Sequence, residues 1–99
     1  MNQEHLQHDM NVALGGLWVI SALAEHPDMP DDVWGDMYDA WGMRWSRLFH
    51  DEHDMTSQQF HTTMSAIMDM LRETVSEEQY QAFTQRKQQF LQSIDPENN

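Results

Sequence analysis

Pro30-Asp31-Asp32-Val33-Trp34-Gly35-Asp36-Met37-Tyr38-Asp39-Ala40-Trp41-Gly42-Met43-Arg44-Trp45 contains three of the four tryptophans and four acids with no Lys or Arg before Arg44. At about 100° per residue, Trp34, Tyr38, Trp41 and Trp45 share a narrow sector of a helix, with Met37 and Leu48 beside them. Asp32, Asp36 and Asp39 fall on the opposite side, and Gly35 and Gly42 line one flank. One face is built for burial and the other for water. Pro30 suits the start of such a helix. Asp31 and Asp32 lie at the positive end of its dipole, and Arg44, Arg47 and His50 lie near the negative end. The segment is therefore expected to be a helix over about 30–50.

Upstream, His26-Pro27-Asp28-Met29-Pro30 reads as a stop and restart, because residues before proline are pushed out of helical geometry. Before it, Leu6, Met10, Ala13, Leu14, Leu17 and Trp18 recur at three- and four-residue spacing, which predicts a helix over about 3–24. Val12, Val19, Ile20 and Leu23 widen its stripe and suggest burial on more than one side. Gly15-Gly16 inside it costs roughly 1 kcal/mol per glycine relative to alanine, so either a close neighbour or a bend is expected there.

Downstream, His50-Asp51-Glu52-His53-Asp54-Met55 is polar and reads as a loop. Met55-Thr56-Ser57-Gln58-Gln59-Phe60 and Val75-Ser76-Glu77-Glu78-Gln79-Tyr80 then repeat one pattern. In each, Thr56 or Ser76 is an N-cap, Gln59 or Gln79 reaches back, and the preceding apolar residue staples against the aromatic. Helices are expected over about 57–74, presenting Phe60, Met64, Ile67, Met68 and Leu71, and over about 77–94, presenting Tyr80, Phe83, Phe90, Leu91 and Ile94. Pro96 ends the order. The class is all-α, a single helical domain over 1–99. It is either a four-helix antiparallel bundle or two packed α-hairpins.

These two six-residue stretches resemble the Leu-Thr-x-x-Gln repeats of periplasmic helical-hairpin stress chaperones and metal sensors. Met55 and Val75 stand where those repeats carry leucine, and a repeated capping box accounts for the same residues.

The chain has 99 residues, with five Lys and Arg against 17 Asp and Glu, a formal charge of −12, and no cysteine. Binding to nucleic-acid phosphates rests on Lys and Arg, so direct nucleic-acid binding is excluded as the main activity, and anionic membranes are disfavoured. The absence of cysteine removes disulfides, thiolate metal sites and a cysteine nucleophile. No basic n-region opens the sequence and no apolar run is long enough to span a bilayer, so a soluble, cytoplasmic protein is expected. There is no phosphate-cradling glycine loop, nucleophile elbow or His-Glu-x-x-His. An enzyme is not expected, and no cofactor is called for.

Three functional readings remain. In the first, the chain is an acidic interaction protein that binds the basic surface of a larger protein. Glu25, Asp28, Asp31, Asp32, Asp36 and Asp39 lie within fifteen residues that contain no Lys or Arg. Asp28, Asp32, Asp36, Asp39, Asp51, Glu52 and Asp54 would steer the partner, and exposed aromatics of the second helix, Trp34 and Trp41, would anchor it. The carboxylate spacing is similar to that of a nucleic-acid backbone, so an inhibitor occupying the basic channel of a nucleic-acid-handling enzyme is its most concrete form. The same charge also serves solubility alone, and the same aromatics also serve a core.

In the second reading, His50, His53 and His61, amid Asp51, Glu52 and Asp54, hold zinc, nickel or cobalt. His5 and His8 at i, i+3 share another face. The third is a homo-oligomeric structural or chaperone-like bundle, such as a homodimer. Methionine and aromatic residues in surplus of the core would cover its interface.

Overall fold

The computed structural model describes residues 2–94. They form α1 (Asn2–Ala24), α2 (Asp31–Glu52), α3 (Ser57–Thr74) and α4 (Glu77–Ile94). There is no strand among the described residues, and every helix touches the other three. The protein is an all-α four-helix bundle. The expected stop at Pro96 lies outside the described residues.

The two-sided second helix fixes the first packing step. Trp34, Trp41, Trp45 and Phe49 are buried on its inner face. The Trp34 indole N–H donates to the Ile20 carbonyl at 2.8 Å, and the Trp41 N–H donates to the Ala13 carbonyl at 3.0 Å. Stepping forward from Trp34 to Trp41 on α2 thus means stepping back from Ile20 to Ala13 on α1, so the two helices form an antiparallel hairpin. Gly16 is where α1 accepts the ring: a Cβ there would lie 3.0 Å from Trp41 Cδ1. Close approach therefore accounts for this glycine, whereas Gly15 faces open space.

Tyr38 lies against Trp34 at 5.5 Å and Trp41 at 6.2 Å between ring centroids, close to parallel with both. From α4, Phe83 meets Trp34 and Tyr38 edge-on at 5.9 and 5.8 Å, and Phe90 meets Tyr38 at 6.1 Å. Offset and edge-to-face contacts of this kind add about 0.5–1.5 kcal/mol per pair beyond area burial. Burial of the Tyr38 side chain raises its phenol above the ordinary value, because the phenolate is desolvated there.

The α1–α2 turn is held from outside. Arg86 of α4 donates through Nε to the Ala24 carbonyl (2.9 Å), through Nη2 to that of His26 (3.0 Å) and through Nη1 to that of Met29 (2.8 Å). Nη1 also reaches Asp31 Oδ1 at 2.9 Å. Carbonyls left over at a helix end need donors, and the guanidinium fork supplies several at once. Pro30 stands one place earlier than the sequence suggests. It is the N-cap of α2, with extended backbone and no side-chain cap, and the helix begins at Asp31.

Thr56 forms the complete capping box of α3, with Gln59 reaching back to its N–H. At α4 only half of the expected box forms. Ser76 Oγ accepts the Gln79 N–H at 3.1 Å, but the Gln79 side chain donates to Ser21 Oγ of α1 at 2.8 Å instead. Ser21 is fully buried; its hydroxyl donates to the Trp18 carbonyl at 3.0 Å and its oxygen accepts from the Gln79 amide, so the tertiary bond takes the place of the local one. The other end of α2 also departs from expectation. Asp51 and Glu52, expected in a loop, continue the helix, and the chain turns at Asp54, which has a positive φ of 53°. Aspartate is among the residues that tolerate this conformation. The widened stripe of α1 is used in part: Ile20 is buried and Leu23 packs against the core, whereas Val12 and Val19 are exposed.

Two glycines of α2 give opposite expectations. A Cβ at Gly35 would meet Phe90 Cδ1 at 2.5 Å, whereas nothing lies within 4 Å of one at Gly42. Gly35→Ala should lower stability by about 1–3 kcal/mol through overpacking. Gly42→Ala should raise it by about 0.5–1 kcal/mol through helix propensity. Urea denaturation of the two variants checks both signs. A second expectation concerns alkali. With the Tyr38 phenol raised on folding, its contribution to stability is complete below the ordinary tyrosine range, about pH 10. That contribution is lost as pH climbs through the folded-state value. Phenolate absorbance should therefore develop later in the native protein than in denaturant, and Tyr38→Phe should remove the lag.

Candidate functional site

The outer flank of α2 and the turn leading into it carry the acidic candidates. Asp28, Asp32, Asp36 and Asp39 are all exposed, and none of them forms an ion pair among the described residues. The local sequence places them there. Asp32, Asp36 and Asp39 repeat at intervals of four and three, so they stack on one helical flank about 5–6 Å apart. Of the acids in this stretch Asp31 alone is neutralised, by Arg86. None of the remaining bases forms an ion pair with the row among the described residues, although Arg47 lines the same cleft as Asp39. Arg44 lies over the Trp45 ring at 5.8 Å and Arg72 over the Tyr80 ring at 5.6 Å. Both are common uses of a guanidinium.

Two open clefts border this flank. One, of about 460 Å³, runs between α2 and α4 past Asp31, Asp32, Asp36, Phe90 and Ile94. The other, of about 540 Å³, has Asp39 on its rim and Tyr38, Met43, Phe60, Met64 and Leu91 among its walls. Met43, Leu91 and Ile94 are exposed there. An unpaired carboxylate row beside an apolar cleft can attract a cation and hold an apolar side chain next to it.

Several expected site residues are placed otherwise. Trp34 and Trp41 are not exposed anchors. Their rings are 0% and 7% exposed, and their N–H groups are already satisfied by α1. A ring that closes the core cannot also be offered to a partner. Asp51, Glu52 and Asp54 are exposed but do not join the row. Asp51 follows Asp39, the nearest member of the row, by twelve positions on the same helix, about 18 Å at 1.5 Å per residue. Arg44 and Arg47 share the surface around Asp51 and Glu52, which mixes the charge there. The effective row is Asp28, Asp32, Asp36 and Asp39.

The histidines are also regrouped. His50, His53 and His61 do not meet. His50 Nδ1 pairs with the Ser46 carbonyl at 2.7 Å, and its ring lies 4.9 Å from Phe60. His61 is exposed on α3. His53 turns toward α1, where its Nε2 lies 2.7 Å from Asp9 Oδ2, with His5 Nε2 3.5 Å from the same oxygen. Asp9 is buried at 8% exposure. The signal available in sequence was the i, i+4 spacing of His5 and Asp9. Its meaning depended on where the end of α2 would fall, which no local pattern gives.

No protein-family model matches the chain, and comparisons with curated proteins and with solved structures find no match.

Like charges at these intervals destabilise a helix by a few tenths of a kcal/mol per pair. Asp36→Asn and Asp39→Asn should therefore leave the fold intact and raise its stability by about that much at low salt, with the gain vanishing at high salt. Thermal melting at two ionic strengths measures it.

Proposed function

We propose that the chain is a non-enzymatic interaction protein whose acidic flank binds the basic surface of a larger protein. The observation that supports this most directly is the row Asp28, Asp32, Asp36 and Asp39, exposed and without a basic partner in a chain of charge −12. Dipole compensation favours acids in the first turn only, so Asp36 and Asp39 add nothing to the helix that carries them. A row of this kind accelerates encounter with a cationic surface and aligns it.

With Trp34 and Trp41 committed to the core, apolar contact falls to the cleft beside Asp39 and to Met43, Leu91 and Ile94. The fitting partner is thus a surface of Lys and Arg that also presents an apolar side chain. The narrower form of the proposal is an inhibitor acting in the cytoplasm on a nucleic-acid-handling enzyme. The carboxylates would then stand where phosphates otherwise lie. Size and charge support that form by analogy.

The expected result is capture of a basic protein from host lysate at low salt, with association slowing steeply as salt is added. Asp32/Asp36/Asp39→Asn should slow association at low salt and flatten the salt dependence, and Met43→Ala should chiefly speed dissociation. Capture indifferent to salt and to the aspartates would overturn the proposal.

A further inference from the structure

At the opposite end of the α1–α2 hairpin from Arg86, three potential metal ligands converge from two helices. His5 and Asp9 stand one turn apart on α1, and His53 is the C-cap residue of α2. One donor atom from each lies within 4.8 Å of the other two. The two imidazoles face each other at 5.0 Å between centroids. The geometry points to a binding site for a divalent transition-metal ion, formed by His5 Nε2, Asp9 Oδ2 and His53 Nε2.

The donor spacing fits. Around a tetrahedral zinc with bonds of about 2.0–2.1 Å, ligand atoms stand about 3.3 Å apart. His5 Nε2 to Asp9 Oδ2 is already 3.5 Å, while His53 Nε2 to Asp9 Oδ2 is 2.7 Å and would open by roughly half an ångström. His5 makes the adjustment cheap, because its side chain is 60% exposed and free to swing. The other two ligands are held. The His53 side chain is 7% and that of Asp9 12% exposed, and the Phe49 ring stands 5.7 Å from the His53 ring. The backbone adds to this hold, since the N–H groups of His53 and Met55 both donate to the Phe49 carbonyl. Two pre-placed ligands and one mobile one suit a site that is completed by its ion.

The donor set indicates the ion class. Two imidazoles and one carboxylate suit zinc, cobalt, nickel or ferrous iron rather than calcium or magnesium, which prefer all-oxygen shells. A fourth position remains for water, since three protein ligands are contributed. The negative charge of the chain raises the local concentration of any cation. The ion would bind the first turns of α1 to the end of α2, away from the carboxylate row.

Zinc titration of the chelator-treated full chain, by calorimetry and thermal melting, tests the site. The expected result is one zinc per chain and a raised melting temperature, with the ring resonances of His5 and His53 shifting while those of His8 and His61 stay in place. His5→Ala should weaken zinc binding at least about 10-fold, because even partners outside the coordination shell cost 10–100-fold. As the His5 side chain is mostly in solvent, its loss should leave the metal-free melting temperature unchanged. His8→Ala, which removes a neighbouring exposed histidine, should bind as the unaltered chain does. Absence of heat and of any melting shift would overturn the inference. So would binding that His5→Ala leaves intact, or that His8→Ala weakens equally. His53 and Asp9 would then be a hydrogen-bonded pair and nothing more.

Discussion

Two indole N–H groups on the backbone of a neighbouring helix set the geometry of this protein. Trp34 and Trp41 each reach across to a carbonyl of α1 that already accepts its own helical bond, using the second lone pair of that oxygen. This fixes register as well as distance. A slide of α2 along α1 by one residue would strand both donors inside the core, where an unmade bond costs about 1–3 kcal/mol. Gly16 opens the space for one ring. Phe83 and Phe90 of α4 then pack on the surface that Trp34 and Tyr38 present. The remaining helices are assembled onto a hairpin whose alignment is already decided.

That aromatic wall is also what allows the other side of α2 to stay charged. Truncating one buried tryptophan costs on the order of 3–5 kcal/mol, whereas each aspartate pair repels by a few tenths. Burial exceeds repulsion by about an order of magnitude, so the helix tolerates an acid row that its own electrostatics disfavour. Three of the five bases contact the chain itself, Arg44 and Arg72 over rings and Arg86 on backbone carbonyls. Arg86 is nearly enclosed by the turn it holds, with 14% of its side chain exposed. A chain in which the best-placed arginine serves the backbone has little left with which to neutralise its surface.

The hairpin thus ends in two different chemistries. At the turn, a guanidinium from α4 gathers the loose carbonyls of α1 and the connecting segment. At the open end, where α1 begins and α2 stops, a carboxylate and two imidazoles stand together. The acid row lies near the first end and the histidines lie at the second, so binding at one need not disturb the other. Both ends bear on the same joint between α1 and α2.

The local pattern of the sequence was enough to determine the class of structure, because helical periodicity, capping and proline breaks act over a few residues. The sorting of α2 into a ring-bearing face and a carboxylate face is a matter of angle along one helix, and both faces lie where that angle puts them. The Thr56 box is equally local, and it forms in full. What only the tertiary structure decided is the use made of each face and each end. Burial took Trp34 and Trp41 out of reach of any partner, and a buried hydroxyl on α1 drew Gln79 away from its own cap. His53 parted from His50 and His61 to join residues more than forty positions away. These outcomes depend on which polar groups become buried together. Burial is a property of the packed helices, and no single segment contains it.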